Sequence, residues 1–512
     1  MILGILAACL LALFASSATD QASAFAKKTP SPTPKATRVR TRQPKTTREP
    51  KKTATPEPAA TPEPVGADDA SDADDAEISP VSPGAMTSQI LVFNPDPSGA
   101  ATVQIDIYNA GGTVAYTTTE TVNADGAKLI TLPGSLGANF QGSAVISSDK
   151  NVQALGVAAN SNKSARDAYE GTSAPATNLS LPFARHLAAN TQNSILAVHN
   201  TTASSANVTI TFYNPDGSQA NQQNATLAAH QPLYLNTNTL FPSGTFIGSV
   251  DVTATQNVVA ALQSLYYKDT AALRALAPSE QGSTVFLNFV ERKLSGSGVP
   301  LNWSEIFVRN SGASATDVTL NLYNVTGALV GSQTATAVPV NGMAQFMLND
   351  AAFASVGNNY VGWAKVTTTG ETVGVAALDV ISKGKRLTGV NGLANGQVAS
   401  RYVCGDAART TSMNSRLSIL NTEARNAKVQ IRLYDPTTGA KLVQTKIKLT
   451  PNAVKTVKLS DAAFAAAGTN FQGMAIVQAK GTTPPKIVVT ANNPYGSSKL
   501  SGTTGYACGV IQ

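Results

Sequence analysis

The side chains equipped for chemistry are few in this chain, and the sequence does not gather them. Its only histidines are His186, His199 and His230. General acid–base or nucleophilic catalysis needs mutually reachable groups with pKa values near the working pH. No G-x-S-x-G elbow, H-E-x-x-H pair or phosphate-binding glycine loop occurs around them. His199 takes a position filled elsewhere by Phe93, Arg309 and Leu420, so it reads as an ordinary strand side chain. Asp350 and Asp461 each open a shared D-A-A-F-A segment, where Asp is favoured by local backbone hydrogen bonding. With no clustered D-x-D pattern beside them, that role is preferred to calcium binding. The expectation is a chain that is not an enzyme and holds no catalytic residue, metal or cofactor.

Two further groups of residues carry chemistry of a different kind. Once the leader carrying Cys9 is removed, the remaining cysteines are Cys404 and Cys508, which flank the last of the repeated units described below. In an exported protein such a pair most simply forms one disulfide, and the alternative is two buried free thiols. Two Cys and three scattered His are too few for a metal site. The second group is basic. From residue 396 onward there are fourteen Lys or Arg and four Asp or Glu, whereas residues 87–187 carry five and seven. Lys428 and Arg432 alternate with Val429, Ile431 and Leu433; Lys446 and Lys448 alternate with Ile447 and Leu449; Lys455 and Lys458 follow. On a sheet these six form one basic face, suited to an anionic polysaccharide or wall polymer. The competing reading is a solvated face whose lysines discourage edge-to-edge aggregation. No aromatics interleave the patch for base stacking, so specific nucleic-acid binding is not expected. Trp303, Trp363 and the pair Tyr266-Tyr267 read as core or junction packing rather than sugar platforms.

The elements that must position these residues are β-strands, in a unit that repeats. The pattern S-x-(I/L)-x-(V/I)-x-N runs from Ser88 to Asn94, Ser304 to Asn310 and Ser415 to Asn421, and Ser194 to Asn200 keeps its frame. The asparagines are 106, 110 and 111 residues apart by subtraction, the length of a domain rather than of a solenoid turn. Each leads to an alternating strand, such as Val103, Ile105 and Ile107, the period-two mark of a sheet covered on one face. A tyrosine follows (Tyr108, Tyr213, Tyr323, Tyr434), then a turn written NAGG, NPDG, NVTG or DPTTG. An aromatic-x-Gly step comes later, at Gly142, Gly248, Gly362 and Gly473. About seven strands per copy point to four immunoglobulin- or fibronectin-like antiparallel β-sandwiches, at 87–178, 179–282, 283–395 and 396–512. A further strand opens copies two to four, at Leu181–Arg185, Val285–Glu291 and Val398–Cys404. No clean equivalent precedes copy one, where Ile78–Pro83 is broken by proline, while Tyr506–Ile511 resembles a spare strand. A bare sheet edge at one end and a spare strand at the other permit self-association by strand addition.

Upstream, Ile2–Ala15 is apolar and is followed by A-x-A-like sites after Ala24 and Ala26, so residues 1–26 read as a signal peptide and the chain as exported. No Lys or Arg precedes the apolar run. The rival is a lipoprotein signal, since Leu6-Ala7-Ala8-Cys9 resembles a lipobox, although Cys9 sits inside the run. No transmembrane segment is expected once the signal is removed. Residues 27–86 are rich in Pro and Thr and poor in large apolar side chains, basic first and acidic after Thr53. They cannot bury enough surface to offset ordering entropy. They read as a disordered stalk, its basic half either lying on an anionic envelope surface or serving as solvated spacer.

The run LSLPFARHLAANTQNSILAVHNTTASSANVTITFYNPDGS is similar to tandem repeats in secreted, largely uncharacterised surface proteins of Chloroflexota and related bacteria. Leu181-Pro182 carries the repeat's opening and Trp303-Ser304 its Trp step, while Tyr169-Glu170-Gly171 resembles its closing turn. Copies one and four lack both the Leu-Pro and the Trp. The resemblance covers roughly residues 88–512 and implies β-sandwich modules on the cell exterior, with no activity to transfer. The expected function is therefore a cell-surface structural or adhesive protein. The alternatives are a binding protein whose basic fourth copy captures anionic glycan, and an accessory array of an exported enzyme complex.

Overall fold

A computed structural model describes Leu6–Cys9 and residues 86–511, apart from 138–139, 161–165, 188–191, 267–268, 382–385 and 498–499. The stalk and nearly all of the leader lie outside the described residues. What is described is almost wholly antiparallel β-structure, and it builds four sandwiches.

The first sandwich comprises β1 (Leu6–Cys9), β2 (Met86–Asn94), β3 (Ala101–Asn109), β4 (Val114–Val122), β5 (Gly126–Thr131), β6 (Gly142–Ser148), β7 (Gln153–Asn160) and β8 (Arg166–Glu170). The second comprises β9 (Ala176–His186), β10 (Gln192–Asn200), β11 (Ala206–Tyr213), β12 (Gln219–Leu227), β13 (Pro232–Asn236), β14 (Phe246–Tyr266) and β15 (Asp269–Arg274). The third comprises β16 (Thr284–Leu294), β17 (Pro300–Asn310), β18 (Thr316–Asn324), β19 (Leu329–Val338), β20 (Met343–Met347), β21 (Asn359–Thr368), β22 (Val373–Ile381), β23 (Arg386–Asn391) and β24 (Leu393–Ala394). The fourth comprises β25 (Arg401–Arg409), β26 (Arg416–Asn421), β27 (Ala427–Tyr434), β28 (Lys441–Leu449), β29 (Val454–Lys458), β30 (Phe471–Lys480), β31 (Ile487–Ser497), β32 (Leu500–Ala507) and β33 (Gly509–Val510).

Two sheets make each sandwich. In the first they run β4-β3-β6-β1 and β5-β2-β7-β8, and in the fourth β28-β27-β30-β25-β33 and β29-β26-β31-β32. Copies two and three keep the same neighbours but join their sheets at one edge; in copy two the single strand β14 serves both. Eight strand positions replace the seven expected. Alternation decides which face is buried: Val103, Ile105 and Ile107 are fully buried while Thr102 and Gln104 are exposed. Tyr506–Ile511 is not spare. Tyr506 and Ala507 end β32, and Val510 pairs with Tyr402 of the same sandwich, because the disulfide between Cys404 and Cys508 ties these strands together.

The repeated asparagines earn their place through their side chains. Asn310, with no exposed surface, donates from Nδ2 to the carbonyls of Ser314 and Val338 and accepts from Gly312 N. Asn94, Asn200 and Asn421 do the same in their copies. A buried corner of the chain thereby has its carbonyls satisfied where no strand partner can reach them. The repeated serine acts on the opening strand. Ser194, Ser304 and Ser415 accept at Oγ from the backbone N–H of Arg185, Glu291 and Ala408, at 2.9, 2.9 and 2.7 Å.

The four sandwiches close into a ring. Their last strands pack around a common axis, β8 against β15, β15 against β23, β23 against β32, and β32 back against β8. At each seam the turn after the repeated tyrosine docks on the next sandwich. Met343 N–H donates to Pro215 O, Val454 N–H to Val325 O and Ala127 N–H to Pro436 O, at 2.9, 3.1 and 2.9 Å. The fourth case, between sandwiches one and two, would need the N–H of Pro232, which proline lacks. There Gln231 Nε2 donates to Ala110 O instead, at 3.2 Å. The turn glycines have two jobs: Gly112, Gly217, Gly327 and Gly439 have φ of 81°, 81°, 93° and 69°. A Cβ on any of them would lie 2.1–2.8 Å from backbone of the next sandwich, with Gly439 closest, against Ala124 O. The expectation of tandem modules thus becomes a closed ring whose last member touches its first.

Candidate functional site

The basic residues of the fourth sandwich do not share a single face. Lys428 and Arg432 lie on β27, and Lys446 and Lys448 on β28, in one sheet; Lys455 and Lys458 lie on β29, in the other. The sequence could not show this, because the chain crosses between sheets after Leu449 without any change in its basic alternation. Within the first sheet the register gathers cations. Lys428 stands directly opposite Lys448 on one side and Lys480 on the other, so three lysines line up across three strands. In the next row Gln430 stands between Lys446 and Gln478, and Gln478 faces Arg401. Lys480 and Arg401 were missed by sequence reasoning, although Lys480 alternates with buried Ala479 and Val477 as Lys428 does with Val429.

Like charges directly opposed in a sheet cost free energy. Burial first, then Arg432 and Arg401, lowers the pKa of Lys480. The cluster divides into an engaged half and a free half. Arg432 donates to Gln430 Oε1, Tyr434 Oη and Gln478, and Arg401 reaches Pro95 O of the first sandwich. Burial raises the pKa of Asp125 of that sandwich, against the opposing pull of Arg401 and Arg432, where the basic fourth copy meets the acidic first copy at the closing seam. Lys428, Lys446 and Lys448 are exposed, and among the described residues no carboxylate pairs with them.

The ring axis holds buried carboxylates among apolar side chains. A cavity of about 400 Å³ opens where all four sandwiches meet, lined by Phe93, Arg274, Asn391, Gly405 and Tyr506 among others. At its wall Arg274 bonds Glu280 at 2.5 Å and lies 4.0 Å from Glu170. Burial raises Glu170 to about 7, against the pull of Arg274. Deeper on the axis, burial also pushes Asp167 and Asp269 up to about 7. Asp406, fully buried, accepts from Gln472 and Asn493 within the fourth sandwich and pairs with Arg166 of the first across the closing seam. Each of these carboxylates joins strands or sandwiches.

Two of the three histidines, His199 and His230, fall at a seam, and His186 lies within the second sandwich. His186 bonds Asn193 at 2.6 Å. His230 stacks on Tyr108 of the first sandwich with ring centres 4.6 Å apart, and His199 lies buried beside them, both ring nitrogens without a hydrogen bond. Burial, then His230, holds His199 down to about 3, so it is neutral at ordinary pH. Trp363 is buried and stacks on Tyr323, centres 4.1 Å apart, whereas Trp303 is half-buried and donates to Glu305. Tyr267 lies outside the described residues. Asp461 accepts from Lys458 N at 3.2 Å, and Asp350 precedes the matching short helix.

Residues 59–238 match a family of unknown function (DUF5719). No curated protein matches the chain. Among solved structures, an α-L-rhamnosidase of Streptomyces avermitilis complexed with L-rhamnose aligns with 77% of this chain and 54% of its own, at 8% identity and a TM-score of 0.11. This chain spans about half of that protein's length, and a likeness so slight carries no argument about fold or activity.

Proposed function

We propose that this chain is an exported, non-catalytic surface protein whose four-sandwich ring is displayed on a Pro/Thr-rich stalk and adheres to anionic polymer of the envelope or its surroundings. The observation that carries the adhesive part is the row Lys448–Lys428–Lys480, continued by Lys446. Sequence alone supports the leader and the stalk, and the likeness of residues 88–512 to surface repeats of Chloroflexota and related bacteria supports display outside the cell. Positions matching Lys428 hold Thr102, Asn207 and Asp317 in the other copies, so the row belongs to the fourth sandwich only. A repulsive row on a sheet is offset when a polyanion lies along it, and lysines on a rigid sheet lose little further freedom on binding.

The test is retention on isolated cell wall and on polygalacturonate beads over a salt series, with neutral dextran as control. Wild-type protein is expected to bind the anionic supports at low salt and to elute as salt rises. Lys428→Glu, Lys446→Glu and Lys448→Glu together should abolish retention while leaving the melting temperature unchanged or higher. Retention unaffected by the triple change would refute the adhesive face.

A further inference from the structure

The axial strands β8, β15, β23 and β32 carry one position that is matched in all four copies. The third residue after the repeated serine is Leu91, Ala197, Phe307 or Ser418, and across the sheet it faces Leu155, Ala261, Ala376 or Thr490. These in turn stand opposite Glu170, Arg274, Asn391 and Ala507. The four residues therefore sit at one level around the axis, one from each sandwich, and all four line the cavity of about 400 Å³. Two residues earlier the matching level holds Ala168, Ala272, Gly389 and Gly505, small enough for the strands to draw together. A Cβ on Gly505 would lie 2.6 Å from Thr388 Oγ1. The cavity is thus a cup, closed toward the middle of the ring and reached past exposed Ser173 and Gly396.

Charge in the cup is unbalanced. Among the described residues its charged side chains are Glu170, Glu280 and Arg274. Arg274 is engaged by Glu280 at 2.5 Å, and Glu280 also accepts from Ala277 N at 2.9 Å. Asn391 is committed to the Arg274 backbone, accepting its N–H at 3.2 Å and donating to its carbonyl at 3.0 Å. Glu170 is left over. Among the described residues no hydrogen-bond donor reaches its carboxylate, and Arg274 Nε stays 4.0 Å away. Burial, opposed by Arg274 and reinforced by Glu280, raises Glu170 to about 7. A carboxylate withdrawn from water without a partner is costly, so a cation that enters the cup gains what the fold withholds. At the fourth position Ala507 leaves the room.

We propose that the cup is a binding site for a small organic cation, whose primary ammonium pairs with Glu170 in the space over Ala507. A metal ion fits worse, because hard cations take several oxygen ligands and only one carboxylate here is free. The volume is also that of a small-molecule site rather than of an ion. An anion would have to displace Glu280 from Arg274 and would then face Glu170. The site shares no residue with the lysine row of the fourth sandwich, so it stands whether or not that row binds a polyanion. It exists only in the closed ring, since each sandwich supplies one residue of the level.

The experiment titrates the oxidised full chain with cadaverine by calorimetry, with pentanediol and glutarate as the uncharged and anionic molecules of the same carbon chain. Cadaverine is expected to bind and the other two are not. Its affinity should fall about tenfold from pH 8 to pH 6, as Glu170 takes up its proton. Glu170→Gln should weaken cadaverine at least tenfold while the melting temperature stays level or rises. Ala507→Lys, which sets an internal ammonium at the fourth position, should do the same and serves if the first variant fails to fold. No binding of cadaverine, equal binding of pentanediol, or affinity retained by either folded variant would overturn the proposal. Preference for glutarate would overturn it in favour of an anion site at Arg274.

Discussion

Replacing Gly439 by alanine should cost much more than the same change at Gly468, although both glycines lie in the fourth sandwich with left-handed backbone. Their φ angles are 69° and 78°. Each alanine therefore pays a similar conformational penalty, about 1–2 kcal/mol. What differs is the surroundings: nothing lies within 4 Å of a Cβ at Gly468, whereas at Gly439 Ala124 O would be 2.1 Å away. Two backbones cannot accept that contact, so the turn must retreat from the first sandwich. Retreat stretches Asn123 Nδ2–H to Thr437 O and Ala127 N–H to Pro436 O, now 2.7 and 2.9 Å. At a net of about 1 kcal/mol each, and more if the nearly buried Ala127 amide is left unsatisfied, Gly439→Ala is expected to lose about 2–3 kcal/mol beyond Gly468→Ala. Urea unfolding of the oxidised protein, followed by tryptophan fluorescence and circular dichroism, measures both. Equal losses for the two variants would mean that the closing seam does not form in solution, and the ring would be refuted.

Other expectations follow from the same contacts. His199→Leu puts at this buried site the residue that copy four carries as Leu420; it removes two unbonded ring nitrogens and should raise the melting temperature, whereas His199→Gln should not. Cys404→Ser with Cys508→Ser opens a connection 104 residues long and should cost about 2–5 kcal/mol, read as a lower urea midpoint in the absence of reductant. Stability should also depend on pH. Burial holds Asp167 and Asp269 up at about 7 and Asp379 up at about 8, so the folded chain keeps protons that the unfolded chain releases near pH 4. Their stabilising effect is complete below about 4 and is lost as pH rises through 7 to 8, while that of neutral His199 is lost as pH falls below about 6.5. The melting temperature should therefore climb from pH 9 to about 6.5; a flat or falling profile over that range would contradict the buried carboxylates.

How much of this was legible in the sequence varies residue by residue. The strands were, because Val429, Ile431 and Leu433 alternate with polar neighbours whatever lies beyond the sheet. The disulfide was, since setting aside Cys9 of the leader leaves Cys404 and Cys508 with one pairing. The ring was not. Gly439 reads as a turn glycine whether or not another sandwich presses on it, so one letter stands for two constraints. Gln231 gave no hint that it stands in for the amide missing from Pro232 across a seam. The six basic residues were found, but whether Lys455 faces the same way as Lys446 depends on a sheet crossing that alternation cannot register.

Small-angle X-ray scattering from residues 86–512 tests the closed ring most directly. A compact body of this size has a radius of gyration of about 22 Å, whereas four touching sandwiches of ~13 Å each in a line give about 40 Å. The ring predicts the smaller value, unchanged by dilution and salt; a value near the larger one would show four separate modules and contradict the closure of the fourth sandwich on the first.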